Sequence, residues 1–321
     1  MKAAKRKLIL LLLMLFAPYK HQARPQDKGA DQTLKLGTEL IVLDAQALTR
    51  KTGSPVTGLS REDFILTEDG VRQQITNFSF DTAPLSIILL LDVSGSVQPI
   101  IDQIRDRGLE ALQRLKPADE VAIVAFGRWV ELVQEFTGDR KLIEGKIGEI
   151  AKAAADMKSA TFIDEALYES ASHLLKSARA GSSRVVITVT DNIQSPNAAG
   201  HTRTEALERI FESGATVCGL VVGDFDLRAS VYKQRGIKID DPLGFFSSET
   251  GGLLLKTKRE DAGDRLRDLI DRLRTRYSFG YVSTNQKHDR KLRRIRLKVK
   301  DEIEKREGGV DVITRRGYYA K

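Results

Sequence analysis

Three polar segments stand at positions where chemistry could occur. The apolar run 85–94 leads into DVSGS (92–96), a D-x-S-x-S pattern, and the apolar run 183–191 ends in TD (190–191). Thr161 lies between them in the chain, just before a predicted helix. The carboxyl ends of parallel strands meet at one edge of a sheet, where ligands bind. The side chains expected at that edge are those of Asp92, Ser94, Ser96, Thr161 and Asp191.

These five side chains offer only oxygen atoms, two carboxylates and three hydroxyls. Such a donor set suits a hard divalent cation, Mg²⁺ or Mn²⁺. Because hydroxyls are neutral, the bound ion would keep much of its positive charge and could accept an anion from outside the protein. The spacing therefore predicts a metal site that is open to a ligand.

Other interpretations of the same residues remain open. Asp92, Ser94 and Ser96 also have the residue types that cap helix N-termini. A metal-dependent hydrolase of phosphoesters would need a general base or a second metal near Asp92. The sequence contains no Ser-His-Asp order, no P-loop and no G-x-G-x-x-G motif, so we do not expect an enzyme.

The elements that must position these residues alternate between strand and helix. Continuous apolar runs at 85–94, 183–191, 215–223 and 251–259 are typical of strands buried on both faces, and 119–127 with 128–136 predicts two strands that meet at Gly127. Helical spacing of apolar residues occurs at 98–116, 139–156, 163–179, 201–214 and 260–276. This alternation predicts a doubly wound α/β domain with a mostly parallel sheet over residues 85–276.

The regions on either side of this domain have a β pattern. Residues 25–84 contain candidate strands at 36–49 and 64–80, with an Asp69-Gly70 hairpin signal. Residues 277–321 contain candidates at 277–284, 292–300 and 310–320. Neither flank has enough strands to be stable alone. We therefore expect the two flanks to form one small β module in which the α/β domain is inserted.

The N-terminus has the layout of an export signal. A basic cluster at 2–7 precedes ten apolar residues at 8–17, a run too short to span a membrane, which takes roughly 20. We assign 1–24 as a signal peptide. Its six basic residues lower the net charge from +8 to +2 when removed, so a nucleic-acid partner is not expected. The protein is predicted to be periplasmic, on the cell surface or extracellular, with a membrane tether only if the signal stays uncleaved.

Two single residues are expected to have structural roles. Cys218, the chain's one cysteine, lies in an apolar run and is expected to be an inert buried thiol. Trp129, beside Gly127 in a strand pair, is expected to serve packing.

The three segments around the predicted metal resemble a von Willebrand factor type A domain. DVSGS after a buried strand, Thr161, and TD at a later strand end match the three segments of that domain's metal-ion-dependent adhesion site. The similarity extends to VTGLSREDFILTEDG (56–70) and RRGYYA (315–320), which resemble a bacterial family related to these domains that is abundant in acidobacteria. Asn192 stands where these domains usually have glycine, and asparagine tolerates the left-handed backbone that such a position needs.

The resemblance implies roles for the individual residues. Ser94, Ser96 and Thr161 would bind the metal directly, and Asp92 and Asp191 would act mostly through water. It implies a protein partner that offers an Asp or Glu carboxylate, and coupling of ligand binding to movement of the closing helix, 260–276. The expected function is metal-dependent protein binding outside the cytoplasm; a hydrolase, or a scaffold without a functional metal, is the alternative. The oligomeric state is not indicated.

Overall fold

The computed structural model describes residues 40–80, 82–94, 110–154, 160–195, 200–223 and 240–320, and the single residues 104, 230 and 234. The predicted signal peptide, Ser96 and most of the predicted helix 98–116 lie outside the described residues. Among the described residues, no helix is both long and apolar enough to cross a membrane.

The described strands and helices are numbered in chain order. The strands are β1 (Leu40–Thr49), β2 (Phe64–Glu68), β3 (Val71–Arg72), β4 (Ile75–Phe80), β5 (Leu85–Asp92), β6 (Glu120–Phe126), β7 (Val130–Thr137), β8 (Ser183–Thr190), β9 (Thr216–Val222), β10 (Leu254–Thr257), β11 (Tyr277–Val282), β12 (Leu292–Val299), β13 (Val310–Thr314) and β14 (Gly317–Tyr319). The helices are α1 (Arg140–Ala154), α2 (Ile163–Ser177), α3 (Arg203–Ser213), α4 (Pro242–Thr250), α5 (Ala262–Leu273) and α6 (Asp301–Arg306).

A six-stranded sheet in the order β10-β9-β8-β5-β6-β7 forms the centre of the fold. All neighbouring pairs are parallel except β6 and β7, which are antiparallel. Every residue of β5 is buried, as its continuous apolar run predicts. The predicted doubly wound α/β fold is therefore confirmed, with one antiparallel edge strand.

Helices cover both faces of this sheet. On one face, α1 and α5 pack against the side chains of alternate β5 residues such as Leu89 and Leu91. On the other face, α2, α3 and α4 pack against Ile88 and Leu90. Since successive side chains of a strand point to opposite faces, one apolar strand supplies both cores.

Strands from both flanks form two further four-stranded sheets. One has the order β13-β1-β11-β4 and the other β14-β12-β2-β3, so each combines strands from before and after the α/β domain. Apolar residues of both sheets share one core, which includes Leu43, Leu66, Phe279 and Leu297. The two sheets thus form a β-sandwich, in agreement with the expected pairing of the flanks.

The Asp69-Gly70 hairpin is present as predicted. Glu68 pairs with Val71, and both turn residues have positive φ, 47° for Asp69 and 85° for Gly70. Two consecutive residues with positive φ match the right-handed twist of the strands that they connect.

The structure differs from the prediction in the run 310–320 and in the helices α4 and α6, which were not predicted. The run 310–320 is not one strand, because the chain leaves one sheet after Thr314 and enters the other at Gly317. Arg315, between them, is buried and donates to the carbonyls of Phe211 and Gly317, which fixes the bend. Helix α4 was not predicted, although Asp241 caps its N-terminus and Gly251 ends it in the left-handed conformation.

Candidate metal centre

Asp92 is the last residue of the central strand β5 and is fully buried. Its Oδ2 accepts a hydrogen bond of 2.5 Å from the Thr190 hydroxyl, at the end of the neighbouring strand β8. Its Oδ1 accepts one of 2.8 Å from the backbone N–H of Ser94. Asp92 and Ser94 of the first predicted segment are therefore joined to Thr190 of the second at the carboxyl edge of the sheet.

Thr161 is buried and belongs to the same edge. Its backbone N–H donates to the Ser195 hydroxyl at 3.0 Å, and the Ser195 N–H donates to the Thr161 carbonyl at 2.9 Å. Ser195 ends the described part of the loop that begins at Asp191. This reciprocal pair holds the Thr161 loop against the Asp191 loop.

Asp191 is nearly fully buried, and its Oδ1 accepts from the backbone N–H of Ile193 at 3.2 Å. Asn192 has a φ of 60°, the left-handed conformation that the sequence predicted it would tolerate. Its N–H donates to the Thr190 hydroxyl at 3.0 Å, so this hydroxyl accepts from Asn192 while it donates to Asp92.

The N-terminal end of helix α4 is hydrogen-bonded to this loop. The Asn192 side-chain amide donates to Asp241 Oδ1 at 2.6 Å and accepts from the Leu243 N–H at 3.1 Å. Asparagine at this position therefore makes two hydrogen bonds that glycine could not make. Sequence reasoning missed Asp241, although its place as an N-cap before Pro242 was a signal.

The electrostatics of the edge favour a cation. The pKa of Asp92 is raised to about 6, chiefly by burial and to a smaller extent by the charge of Asp191, while the hydrogen bonds from Thr190 and Ser94 oppose the shift. Two buried carboxylates that repel each other are costly without a compensating charge. A divalent cation would supply that charge, and the buried oxygen donors match the ligands that Mg²⁺ and Mn²⁺ prefer. The residues present therefore fit a hard metal ion.

The structure thus brings four of the five predicted residues to one edge of the sheet: Asp92, Ser94, Thr161 and Asp191. Ser96 lies outside the described residues. All four placed residues are buried, so their arrangement is set by the packing of the sheet edge and not by exposed loops.

Asp164, in the first turn of α2, is hydrogen-bonded to the loop that follows Asp191. It accepts from Gln194 Nε2 at 2.8 Å, while its N–H donates to Gln194 Oε1 at 3.2 Å. The Arg203 guanidinium donates to both Asp164 oxygens and also to Asp240. Asp164 therefore anchors the loop after Asp191 to the start of α2.

A second group of metal-ligating side chains lies on the outer part of α2. Glu165, Glu169 and His201 each have a ligand atom within 4.8 Å of the others. His201 already bonds to Glu165 through both its backbone N–H and its ring Nδ1, at 2.6 and 2.8 Å. The i, i+4 spacing of the two glutamates on one helix face is visible in the sequence. The proximity of His201 to them could not be predicted from the sequence. This group is a rival location for a metal.

The comparison with known families gives one match. Residues 87–194 match the sequence model of the von Willebrand factor type A domain, in agreement with the resemblance carried by DVSGS, Thr161 and TD. The matched range contains all the residues assigned to the candidate metal centre. No curated protein matches the chain in sequence.

Several solved structures are similar to the chain. A von Willebrand factor type A protein from Catenulispora acidiphila is 11% identical, with 88% of this chain and 73% of that chain covered, at a TM-score of 0.48. The BatB protein of Bacteroides thetaiotaomicron is 16% identical, with 59% and 98% covered, at 0.44. Mussel byssus proximal thread matrix protein 1, with a zinc-occupied MIDAS motif, is 15% identical, with 62% and 50% covered, at 0.46. The chain spans about half the length of the mussel protein.

Proposed function

We propose that this von Willebrand factor type A domain is an exported, metal-dependent protein-binding domain. A bound Mg²⁺ or Mn²⁺ would capture an Asp or Glu carboxylate of a partner protein. The observation that carries the proposal is the pair of buried carboxylates, Asp92 and Asp191, gathered with hydroxyl residues at the carboxyl edge of the sheet.

The donor set explains why the metal would remain reactive towards a partner. The residues that would hold it are Asp92, Ser94, Ser96, Thr161 and Asp191. Three of these donors are neutral hydroxyls, so the ion would remain attractive to an additional anionic oxygen. Thr190 and Asp164 would keep the acidic side chains and their loops in place, since they bond to them directly.

Export to the periplasm, the cell surface or the medium is part of the proposal. Its support is the basic cluster at 2–7 followed by the short apolar run at 8–17. Expression of the full chain in a bacterial host with separate assay of cytoplasm, periplasm and medium tests it. Retention in the cytoplasm at full length would contradict the assignment.

Calorimetric titration with Mg²⁺ and Mn²⁺ tests the metal site. We expect the wild-type chain to bind one ion and Asp92→Asn to lose more than about a hundredfold in affinity, because it removes a buried charge from the donor set. Glu165→Gln is the matched control, because it removes a carboxylate from the rival group on α2. Equal affinity in the wild type and Asp92→Asn would overturn the site, and loss in Glu165→Gln alone would place the metal at the rival group.

Two further measurements separate the binding function from its alternatives. A pull-down from the source organism should retain a partner with Mg²⁺ and release it with EDTA. Hydrolysis of p-nitrophenyl phosphate by the metal-loaded chain, lost in Asp92→Asn, would instead favour the phosphoesterase alternative. Partner capture that is insensitive to EDTA would favour a scaffold without a functional metal.

A further inference from the structure

The turn between β6 and β7, residues 127–129, lies at the rim of the candidate metal centre. The Gly127 carbonyl accepts a hydrogen bond of 3.2 Å from the N–H of Phe162, the neighbour of Thr161. The Phe126 carbonyl, one residue before the turn, accepts one of 2.9 Å from the N–H of Val93, the neighbour of Ser94. The turn therefore adjoins both of the loops that carry hydroxyl donors.

Trp129 in this turn is only half buried. Its exposed fraction is 50%, so part of the ring is available to a ligand, whereas the sequence predicted a packing role. The turn is tight, since the Gly127 N–H donates to the Trp129 carbonyl at 3.0 Å, and both Arg128 and Trp129 are exposed in it. An exposed tryptophan beside a ligand site is a typical binding hot spot, because it offers a large rigid apolar area.

Arg128 adds positive charge at the same rim. It is exposed and has no ion pair with the residues that the structure describes. An unpaired guanidinium beside a metal site attracts acidic segments and repels basic ones. The turn that adjoins the predicted metal site therefore exposes one large apolar and one cationic side chain.

We propose that Trp129 and Arg128 select the partner, and that the partner segment places an aromatic side chain directly beside the carboxylate that binds the metal. The proposal rests on the proposed metal-dependent function. The carboxylate would approach the metal while the aromatic ring packs on Trp129, and further acidic residues would face Arg128.

Three capped peptides test this, each titrated calorimetrically into the full chain with saturating Mg²⁺. They are Gly-Asp-Phe-Gly, Gly-Asp-Gly-Gly and Gly-Asn-Phe-Gly. We expect the Asp-Phe peptide to bind about tenfold more tightly than the Asp-Gly peptide. The Asn-Phe peptide should bind at least tenfold more weakly than the Asp-Phe peptide, since it lacks the carboxylate. The chain has a single tryptophan, so a shift of its emission on peptide binding reports directly on Trp129.

Variants of exposed apolar residues identify the selecting residue. Trp129→Ala should abolish the preference for Asp-Phe over Asp-Gly while the Mg²⁺ affinity stays unchanged. Leu142→Ala is the control, because Leu142 is also exposed, at 40%, and follows the opposite end of β7. Arg128→Ala should weaken binding of an Asp-Phe peptide extended by two glutamates about fivefold more than it weakens the parent peptide.

The outcomes distinguish this proposal from the function on which it rests. Equal binding of the Asp-Phe and Asp-Gly peptides, or a preference that survives Trp129→Ala, would overturn the selecting role of the rim. Equal binding of the Asp-Phe and Asn-Phe peptides with and without Mg²⁺ would overturn the metal-dependent function itself. Mg²⁺-dependent dimerisation that Trp129→Ala abolishes would assign the rim to a second copy of the chain and overturn the peptide assignment.

Discussion

At the scale of single residues, Glu68 is the most informative side chain outside the metal centre. It is buried in the sandwich and accepts hydrogen bonds from the hydroxyls of Tyr281 at 2.7 Å, Ser283 at 2.5 Å and Tyr318 at 3.0 Å. Burial and this carboxylate raise the pKa of both tyrosines. Three hydroxyl groups thus donate hydrogen bonds to one buried carboxylate. These bonds link β2 with residues of the C-terminal flank.

We expect Tyr281→Phe to lower the free energy of unfolding by about 2 kcal/mol, because it removes a donor from a buried charge. Urea denaturation followed by circular dichroism measures the change. Tyr319→Phe is the matched control, since the Tyr319 hydroxyl has no hydrogen bond within the described part of the chain. An equal effect of both variants would show that Glu68 does not depend on this donor.

The residues of the metal centre were predictable because strand ends position them. Asp92, Thr161 and Asp191 each stand at a place that the alternation of strands and helices defines. The role of Asp241 and the exposure of Trp129 were not predictable. The hydrogen bond between Asn192 and Asp241 joins residues 49 positions apart. The exposure of Trp129 depends on the geometry of the turn in which it lies. Sequence patterns report local periodicity and contain little information on such contacts.

At the scale of elements, the closing helix α5 is held at its C-terminal end. Its apolar stripe is buried as predicted, with Leu266, Leu269, Ile270 and Leu273 in the core. Gln46 of β1 donates to the Arg272 carbonyl at 2.8 Å and to the Thr275 hydroxyl at 2.7 Å. An axial shift of this helix would have to break both bonds, which join the α/β domain to the sandwich.

The resemblance to von Willebrand factor type A domains predicts that such a shift accompanies ligand binding. Gln46→Ala should then change the affinity for the Asp-Phe peptide by about fivefold or more, within a coupling of roughly 1–3 kcal/mol, while the Mg²⁺ affinity changes less. A disulfide between α5 and a neighbouring strand, introduced after Cys218→Ser, should change the affinity for the Asp-Phe peptide in the direction opposite to that of Gln46→Ala. Arg265→Ala is the control, because its partner Asp268 lies on the same helix. If neither change alters peptide affinity, the domain binds without a switch.

The long periodic elements were predictable, whereas helix α4 and the division of 310–320 into two strands were not. Strands β5, β8 and β9 and helices α2 and α3 follow from apolar runs and amphipathic spacing. Helix α4 contains Gly244, Ser247 and Ser248, which are weak helix formers, so packing against β9 must stabilise it. The division of 310–320 into β13 and β14 depends on contacts of Arg315 with a distant helix.

At the scale of the whole molecule, the α/β domain is inserted into a hairpin of the sandwich. Strands β4 and β11 are antiparallel neighbours, and Phe80 pairs directly with Tyr277. The chain therefore leaves the sandwich and re-enters it at adjacent positions. The sandwich keeps an apolar core of its own, in which Phe64, Phe78, Tyr277 and Phe279 are in ring contact.

This topology predicts that the sandwich folds without the inserted domain. Replacing 81–276 by Asn-Gly joins Phe80 to Tyr277 through a two-residue turn of the type that suits antiparallel pairs. We expect a β-rich circular dichroism spectrum and one cooperative thermal transition. The contrasting variant ends at residue 276 and removes β11 from between β1 and β4, so its residues 40–80 should become protease-sensitive. If that truncation leaves 40–80 as resistant as in the full chain, or if the Asn-Gly chain does not fold, the two flanks are not one structural unit.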